Sequence, residues 1–88
     1  MDQSNQLIKK VQSQILPRLV IETSVGKRYL ADLSRFKGVY CFPKSQAEWN
    51  EVSVTTAGYA LIWPSRFEVH VDQVIDAAIR VEDVRQTA

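Results

Sequence analysis

The sequence predicts an α+β fold, in which a small antiparallel sheet of four to five strands carries helices packed on it, in the order α-β-β-(β)-α-β-β-α. Residues 18–23 and 27–33 are rich in β-forming residues and flank a short loop that contains Gly26, which is typical of a hairpin. Residues 59–63 form an apolar run that Pro64 ends, as expected of a central strand covered on both faces. Apolar residues at helical spacing near both ends of the chain predict the flanking helices.

The N-terminal segment, residues 1–16, has the pattern of an amphipathic helix. Leu7, Val11 and Ile15 fall on one face, and Pro17 disfavours helix at the residue before it. A helix of this length is only marginally stable by itself in water. We therefore expect it to pack either on the sheet of its own chain or, as an arm, on another chain, with Leu7, Val11 and Ile15 as the interface.

The middle of the chain predicts two short elements. Residues 38–42 have the composition of a short strand, which Pro43 ends. Ser45 and Glu48 have the spacing of a capping box, so we expect a short helix here, with Trp49 as its buried anchor.

The last third of the chain predicts a hairpin, an extended segment and a helix. Residues 52–56 alternate as a strand with one buried face, and Gly58 supplies the turn before the apolar run. Residues 67–71 alternate as a short edge strand or an extended lead-in. Asp72 is a suitable N-cap for a final helix over residues 73–84.

Length and composition indicate one small domain. The chain has 88 residues, of which 45% are hydrophobic, so we assign residues 17–84 to a single domain and residues 85–88 to a frayed tail. The net charge of +1 gives no bulk attraction to nucleic acid or to an anionic membrane. The sequence contains neither a transmembrane run nor a secretory signal, and its single cysteine excludes an intramolecular disulfide. We therefore expect a cytoplasmic protein.

The strand after the predicted turn carries a motif with moderate family specificity. Its residues are Gly58-Tyr59-x-x-Ile62-Trp63-Pro64. Together with an Asp-capped helix several residues later, this pattern resembles the DUF2442 family of small bacterial proteins over residues 18–80. Residues 65–68 depart from the acidic run that many members carry after the motif. The resemblance implies a bacterial domain, of a kind also found on mobile gene cassettes and thought in some members to lie beside small toxin-like proteins, and hence an antitoxin-like role.

The region 27–44 is basic and interleaved with aromatic residues. Its cations, opposed in the sequence by Asp32 alone, are Lys27, Arg28, Arg35, Lys37 and Lys44. If they form one surface, they are candidates for contact with nucleic-acid phosphates or with an acidic partner, and Tyr29, Phe36 and Tyr40 are candidate stacking platforms. The alternative, which we favour, is an ordinary solvated surface over core aromatics.

Two sparse clusters are candidates for chemistry, and in both cases the structural interpretation is the stronger one. Glu68, His70 and Asp72 would share one face of a strand and form a weak ligand cluster, but one histidine with two acids falls far short of a metal signature. Cys41 is a candidate nucleophile only if His70 serves as its base, so we expect a buried structural thiol instead. We predict no catalytic residue, metal or cofactor, because the sequence also lacks a glycine-rich phosphate-binding motif.

These observations favour a small non-enzymatic interaction or regulatory protein, antitoxin-like or self-associating. Its expected partner is a second copy of the chain, in a dimer, or a small protein, and no membrane. Two alternatives stay open, namely a weak nucleic-acid-binding module that uses residues 27–44 and a small-ligand binder.

Overall fold

Seven strands and two short helices make up residues 6–83, the part of the chain that the computed structural model describes. The strands are β1 Ile8–Ser13, β2 Arg18–Thr23, β3 Lys27–Asp32, β4 Ser53–Val54, β5 Ala60–Ile62, β6 Glu68–His70 and β7 Ala78–Asp83. The helices are α1 Gln46–Trp49 and α2 Val71–Asp76, and a 3-10 turn spans Ser34–Phe36. The strands form two antiparallel sheets, one in the order β1-β2-β3-β7 and one in the order β4-β5-β6.

The predicted mixture of helices and strands is confirmed, but the predicted order of elements is not. The chain builds two sheets where one was expected. The β2–β3 hairpin forms as predicted, with Gly26 in its turn at a φ of +86°, a conformation that glycine adopts without a Cβ clash. Two predicted parts lie outside the described residues. They are the first five residues of the N-terminal helix and the tail, residues 85–88.

The predicted N-terminal helix is wrong over its described part, because residues 8–13 form edge strand β1. Ile8 lies opposite Thr23 and Lys10 lies opposite Glu22, so Lys9 is an extra residue in a β-bulge. The bulge places Ile8 and Val11 on the same face at a spacing of three residues. That spacing matches a helix, which explains why the apolar pattern misled the prediction.

The predicted final helix is too long for the same kind of reason. Helix α2 ends at Asp76, and the chain then enters β7, which pairs with β3 at the opposite edge of the four-stranded sheet. A second bulge falls at Ile79, so Ala78 and Val81 occupy the positions opposite Ala31 and Tyr29 at a spacing of three. Both misread segments are therefore bulged edge strands.

The cap of α2 also differs from the prediction. His70, not Asp72, is the N-cap, and its Nδ1 accepts a hydrogen bond from the Asp72 backbone N–H at 3.2 Å. The side chain of Gln73 in turn accepts from the His70 backbone N–H at 3.0 Å, which completes a capping box. The helix starts at Val71, directly after this cap. Val71 is buried, like Val69 two residues before it in β6.

Residues 38–42 form turns rather than the predicted strand. Val39 N–H bonds to Phe36 O and Phe42 N–H bonds to Val39 O, which leaves this backbone no ladder partner. The helix after Pro43 is confirmed: the Ser45 hydroxyl accepts from the Glu48 backbone N–H at 3.2 Å.

The core lies between the inner face of the four-stranded sheet and a layer formed by the small sheet and both helices. Trp49 and Trp63 are buried as predicted and stack with ring centroids 4.9 Å apart. The Trp49 indole N–H donates to Arg18 O on β2 at 2.8 Å, and the Trp63 indole N–H donates to Trp49 O at 3.0 Å. These two bonds satisfy both buried indoles and join the two sheets through α1.

The apolar run around β5 is central in the small sheet, as predicted, but it is not covered along its whole length. Ala60 and Leu61 are buried, whereas Tyr59 and Ile62 are exposed. Gly58 forms the preceding turn at a φ of +82° and accepts from Ile8 N–H at 2.7 Å. A Cβ at this position would lie 2.9 Å from Ile8 O, so glycine is required where β1 meets the small sheet.

Candidate functional site: the open face of the four-stranded sheet

The four-stranded sheet presents its outer face to solvent. Along β2 and β3, side chains alternate between a buried inner position and a less buried outer one. Leu19 and Ile21 are fully buried, while Val20 between them is only half-buried, and Leu30 is half-buried between buried Tyr29 and Ala31. The outer face therefore carries apolar side chains that the described part of the chain leaves only half-buried.

Strand register places the outer side chains in two rows across the sheet. The first row runs from Lys10 on β1 through Glu22 on β2 and Arg28 on β3 to the position of Glu82 on β7. The second row runs from Gln12 through Val20 and Leu30 to Arg80. Opposite charges alternate along the first row. In the second row, two apolar residues lie between polar residues at either end. Directly opposed pairs of both kinds stabilise a sheet.

These rows line a groove of about 510 Å³, which we call the open-face groove. Its lining residues are Lys10, Val11, Gln12, Gln14, Val20, Glu22, Arg28, Leu30 and Arg80. Among these described residues, three cations stand against one carboxylate, and Val20 and Leu30 are half-buried near the middle. The groove thus combines a cationic rim with an apolar floor.

An ion pair lies at the end of β2 and β3 nearest the β1–β2 turn. Arg18 Nε lies 3.4 Å from Asp32 Oδ2. The backbone N–H of Ser34 donates to Asp32 Oδ1 at 2.9 Å, and this bond, with further help from the Ser34 side chain and Arg18, lowers the pKa of Asp32 below its ordinary value of 3.8. Asp32 therefore stays ionised at neutral pH and fixes the start of the 3-10 turn.

The groove is suited to binding by charge and apolar contact. Its described lining contains no histidine, cysteine or serine, the side chains that most often serve as bases or nucleophiles. Within residues 6–83, no three histidine, cysteine, aspartate or glutamate side chains come together as metal ligands. What the geometry offers is a rim for anionic groups and a floor for an aliphatic or aromatic side chain.

The structure divides the predicted basic set. Arg28 lines the groove, whereas Lys27, its neighbour on β3, does not. Arg35 pairs with Asp76 at 2.9 Å, and Lys37 and Lys44 lie exposed on the loop before α1. Tyr29 is a core aromatic, as the favoured interpretation expects, because its ring is buried on the inner face, where its hydroxyl bonds to Gln6.

The predicted ligand cluster is dispersed over two elements. Glu68 and His70 are exposed on β6, but Asp72 lies in the first turn of α2. His70 Nδ1 is occupied by the capping hydrogen bond and lies 3.8 Å from Asp72 Oδ2. Tyr59 stacks beside the imidazole, with centroids 6.4 Å apart. The geometry is that of a helix cap and not of a three-ligand site.

The three predicted interface residues do not share a face either. Leu7 is half-buried and its carbonyl accepts from Ser24 N–H, while Val11 packs against the core as part of β1. Ile15 lies in the β1–β2 turn and is exposed. The expected buried thiol of Cys41 is only half-buried, on a residue with a φ of +76°.

The outer-face residues Lys10, Gln12, Val20, Leu30 and Arg80 were not singled out from the sequence. A signal was present for Val20 and Leu30. The alternation that directs Leu19 and Ile21 inward also directs Val20 outward, and an aliphatic residue at an outward position is a candidate binding contact. No such signal existed for Lys10 and Arg80, because the bulges hid the register of both edge strands.

Comparisons of this chain with protein-family models, with curated proteins and with solved structures found no match. The resemblance to DUF2442 therefore stays a prediction that rests on the motif at residues 58–64. No helix within residues 6–83 is long and apolar enough to span a membrane. The site alone therefore indicates what this chain can bind.

Proposed function

We propose that this protein is a non-catalytic interaction module that binds an acidic, partly apolar segment of a protein partner in the open-face groove. The observation that carries the proposal is the composition of the groove, whose lining combines the half-buried Val20 and Leu30 with three cationic side chains and one carboxylate. An amphipathic helix or strand with carboxylates beside an apolar stripe complements both features. If the antitoxin-like role implied by the resemblance holds, a small toxin-like protein would carry this segment.

Nucleic acid is a weaker candidate for the groove. Proteins that bind single strands without sequence preference combine cations with aromatic rings on which bases stack. The described lining of the groove contains no aromatic side chain. The aromatic residues of the basic region lie elsewhere, since Tyr29 is buried inside and Phe36 packs against Phe67.

A small anionic ligand is the second candidate. The groove volume of about 510 Å³ falls within the range of small-molecule sites, which span roughly 300–1,000 Å³. Such a ligand would place its anionic group against Lys10 or Arg80 and its apolar part over Leu30. Melting-temperature shifts measured across a panel of anionic metabolites test this candidate.

Titration with a synthetic helical peptide tests the main proposal. The peptide carries a leucine stripe flanked by glutamates, and a second peptide with lysines in place of the glutamates is its control. Lys10→Glu should weaken binding of the acidic peptide about tenfold or more, because it reverses a charge on the rim. The matched control Lys27→Glu changes the same charge at a position outside the groove lining and should leave the affinity within about twofold.

Three results would count against the proposal. Equal binding of both peptides would remove the role of charge, and equal losses in Lys10→Glu and Lys27→Glu would reduce the effect to net charge. Tighter, steeply salt-dependent binding of a single-stranded oligonucleotide would favour the nucleic-acid alternative.

A further inference from the structure

Two turns of the molecule display large apolar side chains to solvent. Ile15 in the β1–β2 turn is 79% exposed, and Tyr40 in the loop before α1 is 91% exposed, with Val39 beside it at 47%. Single exposed apolar residues are common on protein surfaces. These residues differ from that background because hydrogen bonds link the two turns and hold both in place.

Hydrogen bonds tie the two turns together. The segment that carries Tyr40 begins after Leu33, whose N–H donates to Pro17 O at 3.0 Å. It ends at Gln46, whose side chain bonds to the β1–β2 turn. Both ends of the Tyr40 segment are therefore fixed to the turn that carries Ile15, and we call Ile15, Val39 and Tyr40 the display end.

One side chain fixes Ile15 from both sides. Gln46 Oε1 accepts from Leu16 N–H at 2.8 Å, and Gln46 Nε2 donates to Gln14 O at 2.8 Å. The same Nε2 donates to Asn50 Oδ1, which also accepts from the Ser13 hydroxyl at 2.8 Å. The backbone on each side of Ile15 is thus held to α1, and its side chain projects from a fixed base.

Tyr40 projects from an equally fixed loop. Phe42, two residues on, is buried with its ring 4.9 Å from that of Phe67, and its N–H donates to Val39 O at 3.1 Å. The Ser65 hydroxyl donates to Cys41 O at 2.7 Å. The left-handed φ of +76° at Cys41, unfavourable for a residue with a Cβ, turns the chain sharply next to Tyr40.

The charge around the display end selects the kind of partner. Residues 34–45 contain three cations and no acidic residue. Arg35 is paired with Asp76, and Lys37 and Lys44 are exposed on either side of Tyr40 in the sequence. Two copies of this end would bring like charges together, which opposes self-association through it.

We infer that the display end is a second partner-binding surface, at which Tyr40 and Ile15 insert into an apolar cleft of a protein whose rim is acidic. Tyrosine is enriched among the residues that dominate binding energy, because its ring buries a large area and its hydroxyl still finds a partner. Preorganised turns lose little conformational entropy on binding, so a small contact suffices. This inference is independent of the open-face groove, which has different apolar contacts.

Selection from a random peptide library displayed on phage, against the immobilised full chain, tests the inference. Enriched peptides should combine acidic and apolar residues. Tyr40→Ala should weaken their binding about tenfold or more. Tyr59→Ala, which removes another exposed tyrosine outside the display end, should leave the affinity within about twofold. Thermal melting of each variant checks that the fold is intact, which we expect since both rings are exposed.

Each contrary result overturns the inference. If selection yields no peptide whose binding depends on Tyr40, or only peptides without an excess of acidic residues, the partner of the display end is not a protein with an acidic-rimmed cleft. Loss of binding in Lys10→Glu with no loss in Tyr40→Ala would assign the peptides to the open-face groove. A dimer in light scattering that Tyr40→Ala dissociates would identify a second copy as the occupant, and Tyr40-dependent binding to anionic lipid vesicles would identify a membrane.

Discussion

The two faces of the four-stranded sheet use the same strands for different purposes. On the inner face, Leu19, Ile21 and Ala31 are fully buried in the core that also contains the tryptophan pair. On the outer face, Val20 and Leu30 occupy the alternate positions of the same strands and remain half-buried, bordered by charge. The inner face forms the core of the fold, whereas the outer-face pair of Val20 and Leu30 adds a contact between β2 and β3 and remains only half-buried among the described residues.

The difference shows how a small domain separates folding from binding. Because side chains alternate strictly along a strand, a substitution on one face leaves the other face in place. Neighbouring residues of one strand should therefore respond to substitution in opposite ways. Inner-face changes should affect stability, and outer-face changes should affect binding.

The largest expected effect comes from the layer that covers the inner face. Trp49→Ala removes the ring that stacks on Trp63 and the indole bond to Arg18 O, so both sheets lose a shared contact. We expect the free energy of unfolding to fall by about 3–5 kcal/mol, as for other buried tryptophans. Urea denaturation measures it, and a loss below about 1 kcal/mol would show that α1 does not join the sheets.

The next prediction compares adjacent residues of β2. Ile21→Ala opens a cavity in the core and should lower the free energy of unfolding by about 2–5 kcal/mol. Val20→Ala should lower it by about 1 kcal/mol or less, because that side chain is half-buried on the outer face, yet it should weaken binding of the acidic peptide. Similar losses of stability in the two variants would contradict the assignment of the faces.

A deletion tests the bulge that sets the face of each residue in β1. Removing Lys9 eliminates the extra residue and leaves Ile8 and Val11 facing inward, so we expect a loss of only about 1 kcal/mol. Removing Gln12 instead would direct Lys10 inward and Val11 outward, with a several-fold larger loss. Thermal and urea unfolding of both deletions compare them, and equal stability would place the bulge elsewhere.

The smallest change in stability is expected for a substitution of Asp32, at the edge of the outer face. Its folded-state pKa lies below the ordinary value of 3.8, so its contribution to stability is complete above that value and is lost as the pH falls through the lower folded pKa. Asp32→Asn should therefore be less stable than the wild type at neutral pH, by about 1 kcal/mol or less, and the difference should shrink below pH 3.8. A difference that does not change with pH would show that the carboxylate is not stabilised in the folded state.

The sequence was sufficient where local signals agreed with the tertiary structure. Four features follow from local patterns and are confirmed: the β2–β3 hairpin, the Ser45 cap, the Gly58 turn and the two core tryptophans. The two edge strands could not be predicted in this way. Their bulges at Lys9 and Ile79 change the apolar spacing from two to three, and only pairing with β2 and β3, distant in sequence, reveals the register.

The candidate site was hidden for the same reason. Its apolar floor was readable in the alternation of β2 and β3, but Lys10 and Arg80 join it only through the register of the bulged edges. The basic region identified by charge count is instead split between the groove and the loop before α1. The spacing of charges along the sequence did not predict one basic surface, because alternate residues of β3 face opposite sides of the sheet.

Methyl NMR during titration with the acidic leucine-stripe peptide shows directly which face of the sheet binds it. We expect the methyl signals of Val20 and Leu30 to shift with peptide concentration, while those of the neighbouring inner-face residues Leu19 and Ile21 stay in place. The lysine-substituted peptide should cause no shift. Absence of shifts at Val20 and Leu30 with the acidic peptide, or equal shifts on both faces, would contradict binding at the open-face groove.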